Sequence, residues 1–224
     1  MKPTCDCIIP FYNEGERVFA VVRALSQVPL IGNIICVDDG SNDHVEIPNV
    51  TLLRLPRNIG KSQAVFAGLR LVKCETVLLF DGDLVGVQPA EIESVSNTFF
   101  DRSLDMVILK ANGEKKYKIM DDLFRNYIVQ SGNRIMKTND LFSVETLHPI
   151  GYQLEVAINQ YMLDKKKTVA WYPISALNLH KTEKLSFVDG WKKDITMDRE
   201  IMSYLGPIKR LQQILFFCRR KIVI

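Results

Sequence analysis

A chain of 224 residues with 47% hydrophobic and 25% charged side chains is long enough to bury one sizeable core. Its apolar runs fall short of the roughly 18 residues of a membrane span, and "MKPTCDCIIPF" reads as a strand entering a turn rather than a signal peptide, so a cytoplasmic location is expected. The net charge of +3 is unevenly spread: residues 206–224 carry five cations and no acid, which leaves residues 1–205 at −2 and excludes a body built to bind nucleic acid.

Taken in chain order, apolar and β-branched runs predict strands at 5–9, 33–37, 50–55, 76–80, 105–110 and 168–172. Between the first two, Val18, Val21, Val22, Leu25 and Val28 lie on one face of a helix, which Asn13 and Glu16 are placed to open as a capping box. A second helix is expected near Lys61 and a third near Pro89, while Leu154, Ala157, Ile158, Tyr161 and Met162 mark the apolar face of a later one. Such alternation predicts an α/β fold with a mostly parallel sheet covered by helices on both faces. Five cysteines without a CxxC pair argue against a disulfide framework or a zinc site and for structural thiols.

Ligands of parallel sheets sit beyond the carboxyl ends of the strands. Four predicted strands end in unusual polar residues, "PFYNEGE", "VDDGSND", "LPRNIGKS" and "FDGDL", which gathers them on one edge. The Gly-Lys-Ser at 60–62 is not a Walker loop, because the position five residues before Gly60 is Leu55. Gly60 and Lys61 nevertheless bring a cation and helix-end amides to a phosphate. Asp81 and Asp83 bracket a glycine at a spacing that lets two carboxylates approach one hard cation, with a nucleoside diphosphate as the natural third party.

The ordered series "IIPFYNEGERV", "VDDGSND", "RNIGKSQAVFAGL" and "LLFDGDL" resembles the nucleotide-binding half of family 2 glycosyltransferases with the GT-A fold, a Rossmann-like architecture. The later "SGNRIMKTNDL", "GYQLEVAINQYM", "WYPI" and "HKTEKLSFVDG" resemble the acceptor half of bacterial members, so that the resemblance covers about residues 4–190. It implies a nucleotide-sugar half at 1–110, an acceptor half at 111–205 and a basic tail at 206–224. By the same resemblance Pro10, Tyr12, Asn13 and Glu14 line the nucleoside pocket. Asp39 meets the base or ribose, Asp38 supports its loop, and Asn58, Gly60 and Lys61 lie near the base and diphosphate. Asp83 is then the principal ligand for Mg²⁺ or Mn²⁺, Asp81 reaches the ribose or metal, His180 is a further metal ligand, and Lys181 and Lys184 answer phosphate charge. Glu155 is the catalytic carboxylate on the acceptor side, although its neighbour Val156 departs from the Glu-Asp that many members carry.

The implied activity is inverting, metal-dependent transfer of a sugar from a UDP- or GDP-type donor. Polyprenyl phosphate, a small phosphorylated acid and a growing saccharide are the acceptors used by family members of this length. Two other readings stand beside it. A sugar nucleotidyltransferase would show a glycine-rich signature with Arg near the N-terminus, where residues 9–17 have only Gly15. A nucleotide-sugar-binding protein without catalysis would not need both Asp81 and Asp83. The tail "PIKRLQQILFFCRRKIVI" fits a basic amphipathic segment in peripheral contact with an anionic membrane, or a C-terminal helix packed on the body with solvated charges.

Overall fold

The protein is described from a computed structural model, which covers residues 4–112, 130–151, 153–178 and 187–223. In chain order these form β1 (Cys5–Phe11), α1 (Arg17–Leu25), β2 (Ile31–Asp38), β3 (Thr51–Arg54), α2 (Lys61–Leu69), β4 (Thr76–Leu79), β5 (Leu84–Val85), α3 (Pro89–Asp101) and β6 (Met106–Asn112). There follow β7 (Arg134–Lys137), α4 (Thr138–Glu145), α5 (Gln153–Asp164), β8 (Val169–Asn178), α6 (Phe187–Phe216) and β9 (Arg220–Lys221). Among the described residues the strands make one sheet in the order β3-β2-β1-β4-β7-β6-β8-β5, with β9 beside β8. The pairs β3-β2, β2-β1, β1-β4, β6-β8 and β8-β9 are parallel. Strand β7 runs antiparallel to both β4 and β6 and closes the gap between the two parallel groups.

Side chains alternate across the pleat, and the core is split accordingly. Cys7, Ile9 and Phe11 of β1 join Val18, Val21 and Leu25 of α1 and Ile92, Val95 and Phe99 of α3 on one face. On the other face Ile8 meets Ala64, Val65 and Leu69 of α2, Leu141 and Val144 of α4, and Leu154, Ala157 and Ile158 of α5. The expected helical faces of α1 and α5 are therefore the ones that pack.

Three expectations need correction. Asn13 and Glu16 do not form a capping box. Asn13 stands at φ +54°, its Oδ1 accepts the Asn42 N–H at 2.9 Å, and α1 begins after Glu16 without a side-chain cap. The side chain that was to cap a helix instead ties two strand-end loops together. Helix α5 is not buried on one face alone: Leu154 to Gln160 are all buried, because the sheet covers one side and α6 the other. The strand expected at 168–172 extends to Asn178.

The thiols are structural. The five cysteines are free, and all but Cys74 are buried. Burial pushes the Cys36 thiol up to about 12, and burial together with the adjacent Asp6 carboxylate pushes Cys74 up to about 11, which leaves neither as a nucleophile near neutral pH.

Candidate active site

The carboxyl ends of β1, β2 and β4 and the N-terminus of α2 meet at one edge of the sheet. Asp39, the residue after β2, holds this edge together. Its Oδ1 accepts the Ile59 N–H at 2.8 Å and its Oδ2 the Gly60 N–H at 2.9 Å. Asp38 accepts the Ser41 N–H at 2.8 Å, and Ser41 Oγ in turn accepts the Asn13 N–H at 2.8 Å. Gly40 is required here: it stands at φ +75°, and a Cβ on it would lie 2.6 Å from Asn58 N. The loops after β1, β2 and β3 are thus one bonded unit. Each oxygen of Asp39 keeps a lone pair for a ligand, since a carboxylate offers about four acceptor sites.

Beside this unit lies a charged cluster. Lys61, the first residue of α2, reaches Asp81 Oδ1 at 2.7 Å and Glu155 Oε1 at 2.9 Å. It joins the strand-four turn of the nucleotide side to the first turn of α5. Burial alone would push Lys61 down, but the Asp81 and Glu155 carboxylates outweigh it and hold the ammonium above its ordinary value. Lys61 is therefore charged at every physiological pH. A small cavity is lined by Pro10, Lys61, Asp81, Gly132, Arg134 and Glu155.

Two of these residues, Gly132 and Arg134, were not anticipated from sequence. A Cβ on Gly132 would meet Lys61 Nζ and lie 2.8 Å from Asp81 Oδ1, so a larger residue here would push the ends of the ion pair aside. Arg134 is fully buried. Its guanidinium donates to Asn159 Oδ1 at 3.1 Å, to the Glu155 carbonyl at 3.4 Å and to the Ser131 carbonyl. Burial lowers the Arg134 pKa, opposed by the charge of Glu155, and the group remains a cation. Next to it Asn133 Oδ1 accepts the Asp81 N–H at 2.8 Å. The segment 131–134 thus fixes Asp81 from behind and Glu155 through its backbone. The signal in the sequence was Arg134 itself, a charge set against the apolar Ile135 and Met136.

The remaining site residues lie around this centre. Asp83 is half-buried in the turn between β4 and β5, two residues from Asp81. Tyr12 and Asn58 are exposed on the bonded loops, and Glu14 pairs with Arg17 at 3.4 Å at the start of α1. His180, Lys181 and Lys184 lie outside the described residues. Among the described residues no three His, Cys, Asp or Glu side chains converge on one point. Formal charges of −3 on Asp81, Asp83 and Glu155 against +2 on Lys61 and Arg134 leave −1.

Comparison with known proteins gives the family. The sequence is 33% identical over 109 residues to an uncharacterized glycosyltransferase, YaiP, of Escherichia coli, covering 41% of this chain and 27% of that one. It is 29% identical over 144 residues to the undecaprenyl-phosphate 4-deoxy-4-formamido-L-arabinose transferase of Pectobacterium atrosepticum, covering 58% of this chain and 42% of that one. The chain therefore spans less than half the length of these curated relatives. Glucosyl-3-phosphoglycerate synthase from Mycobacterium tuberculosis, solved with Mn²⁺, uridine diphosphate and glucosyl-3-phosphoglycerate, superimposes with a TM-score of 0.70 at 18% identity over 91% of this chain and 79% of that one. That likeness shows the same GT-A fold. The profile of Glycosyl transferase family 2 matches residues 6–157, a span that includes every strand end of the bonded loops, the Asp81-Gly82-Asp83 turn and Glu155. With two thirds of its length matched and the family's fold in place, the chain belongs to glycosyl transferase family 2.

Proposed function

We propose that the protein transfers a sugar from a UDP- or GDP-type nucleotide sugar to a polyprenyl phosphate, with inversion and with Mg²⁺ or Mn²⁺. The observation that carries this reading is the Lys61 ammonium held between Asp81 and Glu155, one carboxylate from each half of the fold. The relative that acts on undecaprenyl phosphate and the structural neighbour crystallised with Mn²⁺ and uridine diphosphate support the acceptor and donor classes.

Asp83, with Asp81, would hold the cation. Two carboxylates suit Mg²⁺ or Mn²⁺, which complete their shell with water and phosphate oxygens. Bound there, the metal would neutralise charge growing on the diphosphate leaving group as the glycosidic bond breaks. Lys61 offsets half of the charge of Asp81 and Glu155 before a donor arrives and offers further donor capacity to the diphosphate. Asp39 binds the donor's base or ribose through its remaining lone pairs while it anchors the 58–61 loop. Glu155 is the acceptor-side carboxylate, placed to take the proton of the attacking group as the new bond forms. Arg134 keeps it in place through Asn159 and the Glu155 carbonyl.

The test is nucleotide release from a panel of donors, with Mn²⁺ and a polyprenyl phosphate, for the wild type and for Asp83→Ala. Turnover should disappear on chelation and fall at least about 10²-fold in the variant, whose melting temperature stays close to that of the wild type. Undiminished turnover by Asp83→Ala would remove the metal site from this reading.

A further inference from the structure

The last helical stretch buries two polar side chains and exposes four large apolar ones. Helix α6 breaks at Gly206 and Pro207 and then continues to Phe216. At 3.6 residues per turn, Arg210 and Gln213 fall on the side against the body, where they are 8% and 0% exposed. The opposite arc presents Ile208, Leu211, Leu215 and Phe216, which are 74%, 55%, 41% and 65% exposed, with Gln212 exposed among them and Ile214 half-buried. A surface helix of a water-soluble protein has the reverse arrangement. The rotation is fixed by specific bonds: Gln213 Nε2 donates to the Val156 carbonyl at 2.9 Å and to Gln160 Oε1 at 3.2 Å. Half a turn that buried the leucines would break both.

We propose that this face docks on an anionic membrane surface. The apolar arc spans nine residues, about 13 Å at 1.5 Å per residue. It is too short to cross a bilayer and of the right form to lie in the headgroup boundary. Lys209, Arg219, Arg220 and Lys221 are exposed around it, and residues 206–224 carry no acid to oppose them. Such a cation rim meets lipid phosphates favourably. A second copy of the chain fits less well, since joining two identical faces would bring the two rims of cations together. Docking also orients the enzyme, because Val156, bonded to Gln213, is the residue after Glu155. The surface proposal stands whatever the acceptor is, because binding is read without donor or acceptor.

The experiment is sedimentation of the full chain with vesicles of phosphatidylglycerol and phosphatidylcholine, against vesicles of phosphatidylcholine alone. Binding is expected to the anionic vesicles and should weaken as ionic strength rises from about 0.1 M to about 1 M, where the screening length falls from about 10 Å to about 3 Å. Leu211→Gln/Leu215→Gln/Phe216→Gln alters only exposed positions, so it should keep the wild-type melting temperature and lose vesicle affinity by at least about ten-fold. Negligible binding of the wild type to anionic vesicles, or unchanged binding by the triple variant, would overturn the proposal. So would a concentration-dependent dimer that the triple variant abolishes while the wild type ignores vesicles, which would assign the face to a second copy. Either failure leaves the transferase reading standing, and loss of turnover in Asp83→Ala leaves this one standing.

Discussion

At position 132 a methyl group would press on the ends of the Lys61 and Asp81 side chains and push the ion pair aside. Because both side chains can swing aside, Gly132→Ala should cost about 1 kcal/mol of stability or less, read by thermal melting. It should also lower turnover by about 10²-fold, since a shift of 1 Å in a positioned group has that effect. A variant that turns over normally would show that Lys61 does not need Asp81. Glu155 supports a second expectation, with a sign set by the acceptor. A phosphate monoester loses its second proton near pH 6, so above that pH it attacks without a base. Glu155→Gln should then depress the rate strongly below pH 6 and little above pH 7; an equal loss at all pH values would mean a hydroxyl acceptor. Asp81 and Lys61, which the structure brings together, were conspicuous in the sequence because each stands at a strand or helix end, where polar residues draw attention. Arg134 was not, because its meaning depends on burial, and burial on the facing side is decided by α5, twenty residues later in the chain.

Between elements the same lesson applies to the short pieces. Strands β1, β2, β4 and β6 announce themselves as apolar runs, whereas β7 is only Arg-Ile-Met-Lys and becomes a strand because β4 and β6 offer it two antiparallel edges. Its register is held at one end by Asp105, which accepts from Lys137 Nζ at 2.7 Å and from the Thr168 N–H at 2.8 Å, with Lys167 at 3.7 Å. Lys167 in turn lies 3.0 Å from Asp140 of α4. Partial burial would raise the Asp105 pKa, but Lys137, the Thr168 amide and Lys167 outweigh it and hold the carboxyl below its ordinary value. A carboxylate depressed on folding adds stability above its unfolded value, near 3.9, and loses it as the pH falls through the folded value. The clasp should thus be fully present at pH 5 and above and vanish progressively below about pH 4. Asp105→Asn should lower stability at pH 7 by about 1 kcal/mol, a small figure because the Lys137 end is solvent-exposed. The difference between variant and wild type should shrink towards pH 3 in denaturant titrations. A gap that stays constant down to pH 3 would assign the loss to packing instead of charge.

For the whole molecule, the decisive question is whether the basic last segment is an appendage or part of the core. Composition alone permits either, since five cations among alternating apolar residues suit a free amphipathic arm as well as a docked one. In the structure Phe217 and Cys218 fill the α2–α5 side of the sheet, and Ile222 fills the other side. Arg220 and Lys221 form β9 alongside Ala170 and Trp171 of β8, with the Lys221 ammonium 5.4 Å from the Trp171 ring centre. Phe217 and Ile222 are 2% and 1% exposed, and burying two such side chains contributes about 3–6 kcal/mol. That is a large part of the 5–15 kcal/mol that holds a typical domain folded. The apolar backs of α5 and β8 would also be uncovered by deletion. A chain ending at Gly206 is therefore expected to lose its cooperative melting transition, or to melt at least about 10 °C lower, whereas Leu211→Gln/Leu215→Gln/Phe216→Gln leaves the transition in place. A truncated chain that melts like the full one would show that the core closes without its last strand. The contrast between the two variants separates the two faces of one helix, the inward face that the fold requires and the outward face proposed to meet a membrane.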